Sequence, residues 1–447
     1  MNYNEFKQAV IEAAKEAGLT DYELYYSTTS EINTEIYKED VKSFSSSKNG
    51  GACFRCIESG KMGYAATEKY DEEEAKNIVI RAMDNALSIE GEDEVVLYGA
   101  GDSYQQVTKK AEALPSADIM IEKAIACNKA TYEQDSRVID ATESGAFASN
   151  VTVSIYNSKG LDLNHEVSLS GVYTAAVIEE KGEMLDSLDF QLGNVEEADI
   201  KKIAKKAVEG AVEQIGALKA GSGKMKVVFS GKMMATMLST FAEVFSAENA
   251  QKGLSLLKGK ENTTVASDIV TIVDDPFYFD SSLQMPFDAE GVATYTKEIV
   301  KDGELTTLLH NLKTAKKVGI KSTGNASKLT YSSSVSILPY YFYIKPSSQT
   351  KEELFSLAGD GIYITELQGM HAGANPKTGD FSLGASGFLI KDGKKESCVK
   401  GFTVAGNFYK LLASIEAISN DLEFILPKGL SCFGAPCVLV SELSIAG

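Results

Sequence analysis

The stretch GMHAGANPKTGDFSLGASGFLIKDGKKESCVKGFTV, residues 369–404, decides how the second half of the chain is built. Its latter part alternates apolar and polar residues around Asp392-Gly393, and Asp-Gly between alternating segments is a strong hairpin signal. Its first part is a glycine-rich approach to that hairpin, carrying His371, Asn375, Asp380, Ser382, Gly384 and Gly387. A glycine-rich loop cradles phosphate when it joins a strand to a helix N-terminus. This one enters a strand, so the phosphate reading is set aside. A serine nucleophile is set aside as well, because no G-x-S-x-G elbow occurs and loop serines near a histidine are common.

Working outward, VATYTKEIVKDGELTTLLHNL (292–312) is a second hairpin about Asp302-Gly303, VSILPYYFYIKP (335–346) reads as a buried strand, and the chain closes on the alternating APCVLVSELSIAG. Helices are expected at 232–253 and over GNFYKLLASIEAISNDL (406–422). The short, glycine-rich GALKAGSGK (216–224) reads as a linker. Before it come a first helix with Asn4 as candidate cap and Gly18 as its end, short strands to about Thr67, and an amphipathic helix over DEEEAKNIVIRAMDNALSI (71–89). A polar connection follows over 91–112, then a helix from Ser116, a strand meander, and a helix at 196–215. The expected fold is α+β. An N-terminal region, 1–220, packs helices on mixed sheets, with a possible sub-boundary near 91–112. A C-terminal domain, 224–447, is a large, mainly antiparallel, barrel-like sheet with a few helices.

Composition bounds the function. The 447 residues carry a formal charge of −19, from 44 basic and 63 acidic side chains. Nucleic-acid binding needs clustered Lys and Arg, and no basic run longer than about a pair occurs, so direct DNA or RNA contact is not expected. No apolar run is long enough to span a bilayer, and the acidic, amphipathic start lacks the order of a signal peptide; the expected location is the cytoplasm. Cys53-Phe-Arg-Cys56 lies in a strand–turn–strand pattern, which suits two core residues better than a redox pair that must open a helix. The three histidines, His165, His310 and His371, are far apart in sequence, so no helix-borne zinc motif exists. His165 reads as a surface or half-buried sheet residue. An independent hydrolase built on carboxylates would reveal itself as two close acidic groups in a cleft with raised pKa values.

The segments GGACFRCIESGKMGYAATEKYDEEEAKNIVIRAMDNA (50–86), FDAEGVATYTKEIVKDGELTTLLHNLKTAKKVGIKSTGNA (287–326), GMHAGANPKTGDFSLGASGFLIKDGK (369–394) and VKGFTVAGNFYKLLASIEAISND (399–421) together resemble the TldD/PmbA family over nearly the whole chain. The resemblance implies a peptidase-related protein. TldD-like members bind a catalytic metal, expected to be zinc, through a His-Glu-x-x-x-His helix and a C-terminal cysteine. PmbA/TldE-like members share the fold without that motif and act as their partners. Aligned on Gln251-Lys252-Gly253, this chain has Leu238, Ser239 and Glu243 where His, Glu and His would stand, and no histidine occurs between His165 and His310. The resemblance therefore implies a PmbA/TldE-like subunit with no metal and no catalytic residue of its own. It would pair with a TldD-like subunit, or with itself when alone, in proteolysis of small or unfolded peptides. In that reading His371, Asn375, Asp380, Ser382, Gly384 and Gly387 line a peptide-binding wall or subunit interface. The family's label as a modulator of DNA gyrase does not imply DNA contact by so acidic a chain. The alternative is a homodimeric binding or scaffold protein with no peptidase role.

Overall fold

The computed structural model describes residues 1–90, 95–141 and 143–447. The chain divides into two compact units, each considered by itself. The first comprises Met1–Glu213 with Phe277–Thr294 and Asn311–Ser336; the second is Gln214–Pro276, Tyr295–His310 and Ile337–Gly447.

The first unit is one seven-stranded antiparallel sheet. Helix α1 (Tyr3–Glu16) leads into β1 (Tyr22–Tyr37), β2 (Asp40–Glu58) and β3 (Lys61–Thr67), followed by α2 (Glu72–Leu87) and α3 (Ala117–Gln134). A meander of β4 (Val138–Asp140), β5 (Ser144–Asn157), β6 (Asp162–Glu180) and β7 (Glu183–Leu192) then runs into α4 (Ile200–Val212). The sheet order is β3-β2-β1-β5-β6-β4, with β7 paired to β6. Helix α1 is capped by Asn2 and not by Asn4: Asn2 accepts from the Glu5 N–H while the Glu5 carboxylate accepts from the Asn2 N–H, a reciprocal box that Asn4 cannot form. Of the expected connection at 91–112, residues 91–94 lie outside the described residues.

Side-chain alternation along β1 assigns the two faces. Leu24 packs with Phe6, Val10, Phe54 and Ile78, and Ile36 packs with Met120, Cys127 and Ile203. Both are even-numbered on an unbroken strand, so all four helices cover one face. Where α2 crosses β3, a Cβ on Gly63 would lie 1.9 Å from the Ala82 carbonyl, so only glycine lets the helix settle. The odd face, with Tyr25, Cys53 and Ile155, packs on Phe287 from the 277–294 segment.

The second unit holds a closed barrel of five strands: Gly223–Phe229, Gly361–Gln368, Asp380–Lys391, Lys394–Asn407 and Val438–Ala446. Closure is made by Thr403–Ala405 pairing with Ser444–Ala446. One pairing, Gly361–Ile364 on Lys226–Phe229, is parallel, and the other barrel pairings are antiparallel. Closure removes free edges. The helix Gly231–Phe241 packs with the barrel residues Val227, Ile362, Leu383 and Val404, and the Phe241 ring stacks on Phe408 at 4.5 Å. A six-stranded sheet runs alongside, from Glu304–Leu305 through Lys297–Lys301, Ile272–Asp275, Tyr341–Ile344 and Cys432–Ala435 to Glu423–Phe424.

Two expected helices are shorter than their apolar spacing suggests. The one after Asn407 ends at Ala413, and Ile415–Ile418 continues as a strand on Val438–Val440. Its isoleucines are β-branched and serve both periodicities, and the sheet wins. The helix expected over 232–253 breaks at Ala242–Phe245 into a 3-10 turn before Ala247–Gln251.

Candidate functional site

The glycine-rich loop folds back on the strand it enters. A four-residue helix, Met370–Gly373, carries an exposed His371 that makes no polar contact among the described residues. Asn375 then turns the chain: its Oδ1 accepts from the Lys377 N–H at 3.1 Å, its own N–H donates to the Asp380 carbonyl at 2.8 Å, and its carbonyl accepts from Gly379 at 2.8 Å. Asn407 locks the turn from the next strand, donating to the Asp380 carboxylate and to the Thr378 carbonyl, each at 2.8 Å. That bond, with a second from Thr378, holds the Asp380 carboxyl below its ordinary value. Asn375 and Asp380 are thus turn-forming residues. Ser382 and Gly384 are exposed on the strand, while Gly387 is buried, its missing Cβ only 2.0 Å from the Tyr363 carbonyl.

This geometry limits what the segment can do. A glycine-rich strand admits a close backbone neighbour, but at Gly387 that neighbour is the chain's own strand Gly361–Gln368. Gly384–Ile390 is paired along one side with Gly361–Gln368, an Ala374–Phe381 bridge covers the strand's start on that side, and Lys394–Asn407 pairs along the other. The strand has no free edge to lend to an incoming peptide strand. What remains available is the outward surface of the turn: His371, Asn375, Asp380, Ser382 and Gly384.

The helix Gly231–Phe241 is where the resemblance would place a metal motif. Leu238 is fully buried in the core and its side chain has no ligating atom; Ser239 carries a buried hydroxyl with no hydrogen-bond partner among the described residues; Glu243 is exposed on the following 3-10 turn. Among the described residues no group of three or more His, Cys, Asp or Glu side chains is placed to hold a metal ion. The C-terminal cysteines do not change this. Burial pushes the Cys432 thiol up to about 12, and burial together with Asp421 does the same for Cys437, whose Sγ–H points at an Asp421 oxygen 3.4 Å away. A ligand thiol must ionise. These residues do not fit a catalytic zinc.

Elsewhere, Cys53 and Cys56 are buried on opposite faces of β2, one in each flanking core, which suits packing and not pairing. His165 is half-buried, its Nε2 2.7 Å from the Gln284 carbonyl oxygen, and burial lowers its pKa.

Sequence reasoning missed a cluster of buried charge on the odd face of the first unit. Arg55 Nε donates to Glu23 Oε1 at 2.7 Å, and its Nη1 lies 3.7 Å from Glu290 Oε1; all three side chains are at most 6% exposed. Asp288, next but one to Glu290, accepts from the backbone N–H groups of Glu290, Val292 and Ala326 at 2.9–3.0 Å. Glu290 accepts from the Leu312 N–H at 2.8 Å. Glu23 and Glu290 thus share one guanidinium, and Asp288 is held beside Glu290 by backbone donors. Burial and the adjacent Glu290 raise the Asp288 carboxyl well above its ordinary range, and burial raises Glu290 despite Arg55. These are two close acidic groups with raised pKa values, yet they are buried and committed to backbone donors. Their chemistry is to pin FDAEG (287–291) and the start of helix Leu312–Val318 to the sheet. The FDAEG motif was visible in the sequence, but its counter-ion, more than 200 positions upstream, carries no sequence signal.

Residues 222–447 match the PmbA/TldA metallopeptidase C-terminal domain, 110–215 the central domain, and 22–86 domain 1 of the same proteins. The class is therefore that of the metallopeptidase-type α+β proteins with a closed barrel. The chain belongs to the PmbA/TldD family. It is 26% identical over 336 residues to the metalloprotease PmbA of Escherichia coli O157:H7, covering 74% of this chain and 70% of that protein. A Thermotoga maritima protein of known structure, described as a proposed modulator of a DNA gyrase, superposes with a TM-score of 0.91 at 27% identity over 100% of both chains. TldE from Thermococcus kodakarensis shares the fold, with a TM-score of 0.89 at 24% identity over 99% of both chains.

Proposed function

We propose that this chain is the PmbA/TldE-like subunit of a two-subunit metallopeptidase that degrades small or unfolded peptides, with the catalytic metal on a TldD-like partner. The observation that supports this reading is the helix Gly231–Phe241, which buries Leu238 and the Ser239 hydroxyl at the positions where the resemblance would place the His and Glu of a metal-bearing member. A metal on the partner would supply an activated water and polarise the scissile carbonyl. This chain's own residues would contribute shape: the Asn375–Asp380 turn, braced by Asn407, holds His371, Ser382 and Gly384 as an exposed wall toward the peptide or the partner subunit.

Co-expression with a TldD-like subunit, co-purification, metal analysis of each chain, and peptide cleavage by each chain alone and mixed together form the test. The expected result is a complex whose metal and activity depend on the partner. A stoichiometric zinc with peptidase activity in this chain alone would overturn the assignment. Failure to form any such complex, with a stable homodimer instead, would favour a scaffold protein.

A further inference from the structure

We propose that the outer edge of β2 from Phe44 to Gly50 is a binding edge for an extended peptide segment bearing one carboxylate. The placement rests on the peptide-handling role proposed above, but it names a site far in sequence from the glycine-rich loop.

The edge follows from register. β2 is 19 residues long, whereas β3 covers it only from Ala52 to Glu58. On its other side β2 is paired with β1 throughout. Among the described residues, 40–49 therefore have a strand neighbour on one side only, and all ten are exposed. In an antiparallel ladder, backbone groups point alternately to one neighbour and the other. Glu58 and Lys61 close the two-residue hairpin between β2 and β3, so Glu58 and every second residue before it aim N–H and C=O toward the β3 side. The β1–β2 register is unbroken from Cys56 back to Ser43 and shifts only between Glu35 and Ile36, leaving Lys42 as the extra residue. Phe44, Ser46, Lys48 and Gly50 thus present outward N–H and C=O groups to which no residue of β3 is opposed.

Open edges are ordinarily guarded by bulges, prolines, charge or shortness. Here the bulge guards only the hairpin tip. The seven residues from Phe44 to Gly50, about 23 Å at the usual rise, include no proline and a single charge. Groups of this kind are satisfied by another extended backbone, as in strand addition. Ser45, Ser46 and Ser47 offer no side-chain pockets, so recognition is tolerant of sequence, and the exposed Phe44 offers an apolar contact on the helix-covered face. Charge selects the occupant. Lys42 is tied to Glu35 at 3.2 Å, whereas Lys48 has no ionic partner among the described residues. One carboxylate opposite Lys48 is complementary; several would meet the field of a chain with net charge −19.

The test uses the full chain alone and a fluorescent nonapeptide rich in Thr and Val with one central Glu, read by anisotropy. Ser46→Pro removes an outward N–H and spares the β1 ladder, so the variant should keep the wild-type circular dichroism. It is expected to weaken peptide binding by about tenfold or more. Lys48→Glu should reverse the preference between the Glu peptide and its Lys counterpart. Wild-type protein that does not bind the peptide, a folded Ser46→Pro that binds as wild type, or a Ser46→Pro that instead dissolves a homodimer would each overturn the proposal. The last would assign the edge to a second copy. Because the partner subunit is absent from this assay, failure here with an intact partner-dependent peptidase removes the edge and leaves the subunit assignment standing. Edge binding without any such partner does the reverse.

Discussion

Replacing Arg55 by Met removes the guanidinium that pairs with Glu23 and Glu290, and the size of the effect can be worked from the geometry. Met keeps most of the aliphatic volume, so the change is mainly one of charge. Glu23 keeps Asn157 Nδ2 at 3.2 Å and the attraction of the half-buried Lys328 charge, and Glu290 keeps the Leu312 N–H. At 2.7 Å and an effective dielectric constant of about 20, the lost attraction to Glu23 alone is about 6 kcal/mol. The protein has a less costly course: one of the stranded carboxylates takes up a proton. Holding a glutamate neutral at pH 7, against an ordinary value of about 4.3, costs about 3.7 kcal/mol, which caps the penalty and agrees with the roughly 3–5 kcal/mol expected for stranding a buried charge. The cap depends on pH. A carboxyl whose native value is raised binds a proton that the unfolded chain has released, so stability falls as pH rises above the ordinary value. At pH 5 the same cost is about 1 kcal/mol. The loss on Arg55→Met should therefore shrink from about 4 kcal/mol at pH 7 to about 1 kcal/mol at pH 5. Urea unfolding followed by circular dichroism measures it, since the chain has no tryptophan. Hydrogen exchange in β1 and β2 assigns the loss to the first unit. An equal loss at both pH values would refute the reasoning, because a packing defect does not titrate.

Other expectations follow from the same kind of reading. In the second unit, Lys297 Nζ lies 2.9 Å from a wholly buried Asp274 carboxylate, whose other oxygen accepts from the Tyr340 N–H; Lys297→Met should cost about 3–5 kcal/mol in urea unfolding, and Lys297→Met with Asp274→Asn clearly less. Gly387→Ala forces a methyl to 2.0 Å from the Tyr363 carbonyl and should destabilise the barrel by about 1–3 kcal/mol in thermal unfolding, whereas Gly384→Ala, whose nearest neighbour would be 3.6 Å away, should be tolerated. His371→Ala and Asp380→Ala should each reduce partner binding or partner-dependent peptide cleavage. If both leave both measurements unchanged, the turn is not a functional wall. The lowered Asp380 pKa adds a pH signature: its bracing by Asn407 is present above the ordinary carboxylate value and fades as the pH drops through the lowered one, so loop proteolysis should rise only in strong acid.

How much of this was legible depends on the range of the interaction. Both Asp-Gly hairpins formed where the sequence placed them, with Asp302, Gly303, Asp392 and Gly393 all in the left-handed region that the two-residue turn requires. Of the α2 stripe Ala75, Ile78, Val79, Ala82, Met83, Ala86 and Leu87, five are buried as the spacing predicts, while Met83 is half-buried and Leu87, at the helix end, is exposed. The hairpin that shapes the first unit gave no such signal. β1 turns into β2 through Lys38 and Glu39, both at positive φ, in residues that ordinarily avoid it. Long strands on either side supply enough ladder bonds to impose the turn, a tertiary effect that overrides local preference. The excursions 277–294 and 311–336, which pack within the first unit, carry no linker-like composition either; Phe287 and Gln284 declare their role only through residues such as Ile155 and Thr108.

The candidate site divides along the same line. Turn-forming roles for Asn375 and Asp380 could be read locally, because an Asx side chain bonds the backbone two residues on. Strand addition beside Gly384 and Gly387 could not be judged locally: whether a strand has a free edge depends on which strands flank it. The barrel flanks Gly384–Ile390 on both sides, while the serine-rich half of β2, which drew no attention as a sequence, is flanked on one. Glycine therefore marked where the chain's own backbone comes close, and the shortfall of seven-residue β3 against 19-residue β2 marks where another chain's could. If peptide handling requires a strand partner, the physical argument moves it from the loop with the conspicuous histidine to an edge with no conspicuous residue at all.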